Sequence, residues 1–260
     1  MKCSEVIQCL EERTPHSFAM EWDNVGLLVG RVESEIHKIL VTLDVTKEAV
    51  TMAVEQGVDM IVSHHPILFS SVKSVTDQDF LGNKIVTLIE HGISCFAMHT
   101  NYDVCQMADL ADQYFQMTDT IPLEVTYDMN GEQKGIGSVA YLEEPISLSA
   151  CAKKVKDAFG LKEVLLFGKE EQMVQRIAMS PGSGRHMIEE ALKANADVLI
   201  TGDIGHHEGL DALDMGISVI EAGHHGLEQI FISDVADYLK KHCKNCEIIS
   251  LNPGIPYQVY

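Results

Sequence analysis

Residues 39–65 fall on residues 177–203 without a gap when the numbering is shifted by 138. Ile39 meets Ile177, Val41 meets Met179, Val50 meets Ile188, Ala53 meets Ala191 and Val54 meets Leu192. Ile61-Val62-Ser63 meets Leu199-Ile200-Thr201, and the polar Asp59 meets Asp197. The first copy reads as an apolar strand (Ile39 to Leu43), then a helix (Lys47 to Gln56) with Ala49, Val50, Ala53 and Val54 on one face. Gly57 ends the helix, and Met60 to Ser63 is a second strand. Any two βαβ units share such a pattern. A gap-free match that also keeps a polar position points to duplication. The fold class expected is therefore α/β, as two pseudo-repeated α/β lobes.

The pattern continues beyond the matched block. Asn83 to Glu90 reads as a helix and Gly92 to Met98 as a strand. Gly92-Ile93-Ser94-Cys95-Phe96 is similar to Gly216-Ile217-Ser218-Val219-Ile220, and the two runs end at His99 and His224. Between 121 and 169, Val125 to Tyr127, Ile136 to Tyr141 and Val164 to Phe167 look like strands. Ser149 to Phe159 looks like a helix closed by Gly160. The lobes are expected at about 1–124 and 125–260 of one unit spanning 1–260, with 200–260 returning to the functional cleft. Sites in open α/β sheets form at the carboxyl ends of strands. If the halves face each other, His64-His65, His99 to Asp103 and His224 to Glu228 converge there.

The chain carries 39 acidic and 19 basic residues, for a formal charge of −20. Such a surface repels nucleic acid and anionic lipid, because duplex binding relies on neutralising phosphates with Lys and Arg. No segment reaches 18 uninterrupted apolar residues, and the N-terminal stretch holds Glu5, Glu11 and Glu12. The expectation is a cytoplasmic protein with no membrane span. Seven cysteines in such a chain read as reduced thiols. Cys243-Lys-Asn-Cys246 has Cys-x-x-Cys spacing, open to a zinc or redox role or to two thiols at a helix end.

Twelve histidines include three adjacent pairs, His64-His65, His206-His207 and His224-His225. Random placement gives roughly half a pair. Neighbouring side chains on a regular strand point opposite ways, but at a strand end turned by Pro66 they can reach two ions lying close together. His224 and Glu228 are i and i+4 on a helix expected to start near His224, since Leu227, Ile230, Phe231, Val235 and Leu239 keep helical spacing. In His99-Thr-Asn-Tyr-Asp103, Asp103 can terminate or bridge metals. His99 can be a ligand, an outer group or a general acid/base. The combined candidate set is His64, His65, Asp103, His224 and Glu228. Five ligands for two ions leave open positions, unlike a closed structural zinc site. Imidazole with carboxylate suits zinc, manganese, iron or cobalt.

Three other segments stay open. Gly202-Asp203 occupies the repeat position of His64-His65, and Asp203 and His207 are either cleft residues for substrate contact and proton transfer or part of a helix start capped by Asp203. Ser180-Pro-Gly182-Ser-Gly184-Arg185 reads either as an anion-binding loop or as a tight strand-to-helix turn. Glu21-Trp22-Asp23-Asn24-Val25-Gly26-Leu27 reads, by composition, as a turn with an aromatic anchor.

Taken together, Trp22 to Leu27, Ser63-His64-His65-Pro66, His99 to Asp103, Thr201-Gly202-Asp203 with His207, and Gly223-His224 with Glu228 resemble the NIF-three-like family, also called GTP cyclohydrolase I type 2 homologues. The resemblance runs the length of the chain and matches the short form, without the domain that some members insert in the middle. It implies a two-lobed α/β subunit, a toroidal homohexamer and two divalent metal ions on His64, His65, Asp103, His224 and Glu228. Beside the ligands, Asn24, Asp203, Gly182 and Gly184 are the candidate substrate-binding residues, and His99 and His207 the candidate catalytic ones that move protons. Glu221 stands where the family usually has Asp, and Leu227 where it has a small hydroxyl residue. Both lie outside the ligand set.

Two functions are expected from these features. One is a dinuclear-metal-dependent hydrolase of a nucleotide-like or other small molecule. The other is a non-catalytic metal-binding or regulatory scaffold. The acidic charge disfavours a DNA-binding regulator.

Overall fold

The structure, a computed structural model, describes residues 1–258. In chain order the elements are α1 (Cys3–Arg13), β1 (Gly26–Val29), β2 (Lys38–Thr42), α2 (Lys47–Glu55), β3 (Met60–Ser63), α3 (Phe80–Glu90), β4 (Ser94–Ala97), α4 (Thr100–Tyr102) and α5 (Ala108–Phe115). There follow β5 (Ile121–Met129), β6 (Glu132–Ser147), α6 (Leu148–Phe159), β7 (Leu165–Phe167), β8 (Met173–Ser183), α7 (Met187–Lys193) and β9 (Val198–Asp203). The chain closes with α8 (His206–Met215), β10 (Ser218–Glu221), α9 (His224–Glu228), α10 (Ile230–His242) and β11 (Glu247–Leu251).

These elements form two compact units. The first joins Met1–Tyr102 with Phe231–Pro253, and the second holds Asp103–Ile230 and the chain from Gly254 onward. The expected boundary near 124 thus differs from the one observed after Tyr102. Residues 103–124 go with the second unit because α5 packs on α6, β6 and β8. Of the C-terminal segment, Phe231–Pro253 belongs to the first unit, to which it supplies α10 and β11.

The first unit holds a five-stranded sheet in the order β1-β4-β3-β2-β11. Its four neighbours from β4 to β11 run parallel, and β1 is antiparallel to β4. Strands covered on both faces read as unbroken apolar runs rather than as alternation. Accordingly β3 and β4 are buried at every position. Leu40, Ile61, Ile85, Leu88 and Cys95 share one core cluster with Ala49 and Ala53 of α2. Truncating such a leucine or isoleucine to alanine costs about 2–5 kcal/mol. Thr46 caps α2 by accepting from the Ala49 amide, and Asp79 caps α3 by accepting from Leu81 and Gly82.

The second unit holds a six-stranded sheet in the order β5-β6-β8-β9-β10-β7. β8, β9 and β10 are parallel, and the others pair antiparallel. The duplication survives in this mixed sheet. The β2–α2–β3 unit corresponds to β8–α7–β9 at the same offset of 138. Gly57, at φ 62°, ends α2, and Asn195, at φ 52°, follows α7 at the matching position. Each turn is closed by the same amide-to-carbonyl bond, Val58 N to Ala53 O at 2.8 Å and Ala196 N to Ala191 O at 2.9 Å.

The copies diverge after the second strand. Sixteen residues (64–79) separate β3 from α3, whereas two (204–205) separate β9 from α8, a difference of 14. Connections of a dozen or more residues in compact domains are uncommon and usually functional. The long one begins with His64-His65.

Candidate metal centre

Each unit gathers its own set of imidazole and carboxylate side chains. In the first, His64 and His65 lie in a bend just past the end of β3, their amides donating to Thr42 O at 3.3 Å and Leu43 O at 2.9 Å, with Pro66 next. The two rings therefore stay near one another, with centroids 5.0 Å apart, instead of diverging as on a longer strand. His99 leaves the neighbouring β4, its ring 5.2 Å from that of His64 and 5.6 Å from that of His65. One ligand atom from each of the three lies within 4.8 Å of the others.

What fixes these rings is an oxygen on each Nδ1. His64, fully buried, donates from Nδ1 to Met98 O at 2.8 Å. His65 Nδ1 donates to Asp44 Oδ1 at 2.8 Å, and His99 Nδ1 donates to Asp23 Oδ1 at 2.9 Å. An acceptor on Nδ1 selects the tautomer whose lone pair sits on Nε2, which is how metal-ligating histidines are oriented and made more basic.

Asp23 is itself held tightly. Its Oδ2 accepts from the Thr100 amide at 3.0 Å and from Thr100 Oγ1 at 2.6 Å. Burial pushes its carboxyl up. The bonds from His99 and Thr100 and the His99 charge outweigh that and hold it well below the usual carboxylate range. The same carboxylate therefore fixes the orientation of the His99 ring.

In the second unit, Gly223 at φ 77° turns the chain and α9 starts at His224 as the spacing predicts. His224 Nε2 lies 3.1 Å from Glu228 Oε2, the i, i+4 pairing expected. On its other side His224 Nδ1 donates to Asp203 Oδ1 at 3.1 Å. Glu228 is buried against β8 and β9. Asp203 is the last residue of β9, and α8 begins at His206 behind Gly205, so the helix-capping alternative for Asp203 falls away. Asp103 opens a five-residue π-helical turn (Asp103–Met107), a distortion that recurs at functional sites. The carboxyl of Glu221 is raised by burial and then by the negative charge of Asp203.

Two glycines make room for this group. Gly182 has φ +82°, and a Cβ there would lie 2.6 Å from Glu228 Oε1. A Cβ on Gly202 would lie 2.9 Å from the His224 Cα. β8 runs on through Ser183, so the expected loop is largely strand. Gly184 spends its amide on Asp203 O at 2.9 Å, and a Cβ there would meet Thr201 Oγ1 at 2.5 Å. The glycines of this segment thus allow close backbone approach rather than cradle an anion.

The remaining candidates lie elsewhere. Asn24 is exposed and donates from Nδ2 to Leu68 O at 2.6 Å. His207 is exposed on α8 and lines an open cavity of about 680 Å³ with Arg185, Glu208 and Asp211. Among the described residues it joins no metal-holding group. Cys243 caps the end of α10 in a buried position with its thiol pushed up to about 12 by burial. Cys246 donates to Ile36 O at 3.3 Å, and neither thiol forms a disulfide.

The donor sets fit a borderline divalent metal. Four imidazoles present a basic nitrogen held in place by an oxygen acceptor or a carboxylate, and buried Glu228 adds an anionic oxygen. Asp23 and Asp44 were not singled out in the sequence, because single aspartates among 39 acidic residues carry no periodic or spacing signal.

Residues 1–253 match the Duf34/NIF3 (NGG1p interacting factor 3) family. A Lactococcus lactis protein named GTP cyclohydrolase 1 type 2 homolog is 36% identical over 243 residues, covering 92% of each chain. A Clostridium acetobutylicum protein of the same name is 32% identical over 237 residues, covering 88% of this chain and 85% of its own. The crystal structure of a Bacillus cereus protein related to NIF3 superposes with a TM-score of 0.93 at 22% identity, over 100% of this chain and 99% of the other. The chain belongs to the Duf34/NIF3 family.

Proposed function

We propose that this chain is a hydrolase dependent on two divalent metal ions, acting on a nucleotide-like or other small molecule. His64, His65, Asp103, His224 and Glu228 are the proposed ligands, the set that spacing and family resemblance both select. The observation that carries the reading is the shared oxygen anchor on Nδ1 of His64, His65, His99 and His224. A histidine that merely fills a core has no need of an acceptor aimed at its back, and three of these four acceptors are carboxylates. When bound, a pair of such ions supplies Lewis acidity and lowers the pKa of water.

The chain's own residues supply the rest. Asp44, Asp203 and Met98 O set the tautomer and orientation of three ligands. His99 accepts a proton at Nε2 and Asp23 stabilises the resulting imidazolium, a general acid/base pair. The name GTP cyclohydrolase 1 type 2 homolog, borne by the relatives, supports a hydrolytic reaction on a nucleotide-like compound. The test is metal content by elemental analysis with a panel of nucleotides, pterins and phosphoesters. Metal-replete protein that turns over no panel member would overturn the reading.

A second reading is a metal-binding scaffold, favoured by the words "interacting factor" in the family description. It predicts that His64→Ala changes metal content or partner capture with no turnover to lose. For assembly, the resemblance supports a homohexamer. Light scattering should then give six times the 28.8 kDa of one chain, and the mass of a single chain would refute it.

A further inference from the structure

The geometry points to Trp22 and Phe69 as the two rings that grip a planar heteroaromatic group of the substrate, a purine- or pterin-like ring system, beside His99. The assignment rests on the hydrolase reading above and names its substrate class. Trp22 is 66% exposed, yet its ring centroid lies 6.1 Å from that of His99 at 77°. Phe69 is 60% exposed, and its ring lies 5.8 Å from that of His99 at 88°. It also lies 6.2 Å from the His65 ring. Large aromatics ordinarily bury most of their area or find a partner. Here both meet the imidazole paired with Asp23 at a steep angle and still keep more than half of their area exposed.

Both rings are held ready. Trp22 precedes Asp23, whose carboxylate is tied to His99 and Thr100. Phe69 follows Ile67, which is buried, and Leu68, whose carbonyl accepts from Asn24 Nδ2 at 2.6 Å. Asn24 thus joins the segment bearing one ring to the segment bearing the other. Phe69 sits on the 16-residue connection whose counterpart in the second copy has two residues, so this ring belongs to the part of the first copy that the second does not repeat. The ligand chemistry follows from charge. A chain at −20 gains little by attracting an anion, whereas the face of a neutral planar ring stacks on aromatics without regard to charge.

Trp22 is the sole tryptophan, so its emission reports on this place alone. Zinc-loaded protein is titrated with guanosine 5′-monophosphate and, separately, with ribose 5-phosphate, exciting the indole at its red edge, beyond purine absorption. The expected result is saturable quenching by the nucleotide and none by the sugar phosphate. Phe69→Ala and Phe69→Leu should each weaken nucleotide binding about tenfold with zinc content unchanged. Trp22→Ala, followed by calorimetry, should do the same. Equal quenching by both probes, or no saturable quenching by the nucleotide, overturns the assignment. So does a change in oligomeric mass in the Phe69 variants with nucleotide affinity intact, because the rings would then belong to a contact between copies. Failure here is distinguishable from failure of the hydrolase reading. Turnover of a non-aromatic panel member keeps the hydrolase and removes the rings, and tight nucleotide binding without any turnover does the reverse.

Discussion

Asp59 and Asp197 perform the same task 138 residues apart. Asp59 Oδ2 accepts from the amides of His37 and Lys38 at 2.7 and 2.9 Å, and Asp197 Oδ2 accepts from Gln175 and Arg176 at 2.8 Å each. Their main chains match as well. Asp59 N donates to Lys38 O, Asp197 N to Arg176 O, and the two carbonyls accept from Ser94 N and Ser218 N. Each aspartate thus ties together the starts of three neighbouring parallel strands. Asp59→Ala and Asp197→Ala should each destabilise the protein by about 1–3 kcal/mol, since two amides lose a charged acceptor. Urea unfolding measures this. A loss below the error of the fit for either variant would refute the role.

Metal affinity should respond to residues that touch no metal. Asp44→Ala removes the acceptor on His65 Nδ1, and Asp203→Ala removes that on His224 Nδ1. Each should weaken divalent metal binding about 10- to 100-fold. Competition with a chelating dye reads the constant directly, and unchanged affinity in both variants would exclude the orienting role.

Acid should act through Asp23. Its carboxyl is lowered in the folded state, so the stability it contributes is complete above the unfolded value near 3.8 and is lost as pH falls below it. Asp23→Asn should flatten that part of the stability-against-pH curve while lowering stability at neutral pH. Parallel curves for wild type and variant would contradict this.

Gly182→Ala should do more damage than an ordinary glycine-to-alanine change. The left-handed φ of +82° and the contact at 2.6 Å from Glu228 Oε1 both oppose the methyl group. The cost should be about 1–3 kcal/mol, and metal retention should fall with it as Glu228 is displaced. Gly57→Ala, with φ +62° but nothing within 4 Å, is the control: it should cost less stability and leave metal retention unchanged.

Much of this architecture was legible because it is local or repeated. Strand β3 and helices α2 and α6 lie within a residue or two of their expected bounds, since apolar period, capping residue and terminal glycine agree. The i, i+4 pair His224–Glu228 was readable for the same reason. The β5–β6 hairpin also carried a sign that could have been used, Asn130-Gly131 with both φ positive. Partners brought together by topology were not legible. Asp23 lies 76 residues from His99 and Asp44 lies 21 from His65, and no periodicity links such pairs. Nor does the pattern of β11 reveal that it pairs with β2, because register with a distant strand is settled by packing.

The membership of α10 and β11 in the first unit bears on how the chain is made. A ribosome releases 103–230 before 231–253, so the nascent first unit exposes the β2 edge until β11 has been made. Tyr102 and Arg13 likewise wait for Asp234, to which they bond at 2.5 and 2.8 Å in the finished molecule. An open parallel edge of this kind is a template for wrong pairing. Chains stalled before Phe231 accordingly carry that open edge, and the stretch encoding 231–253 acts as the closing step of the first sheet.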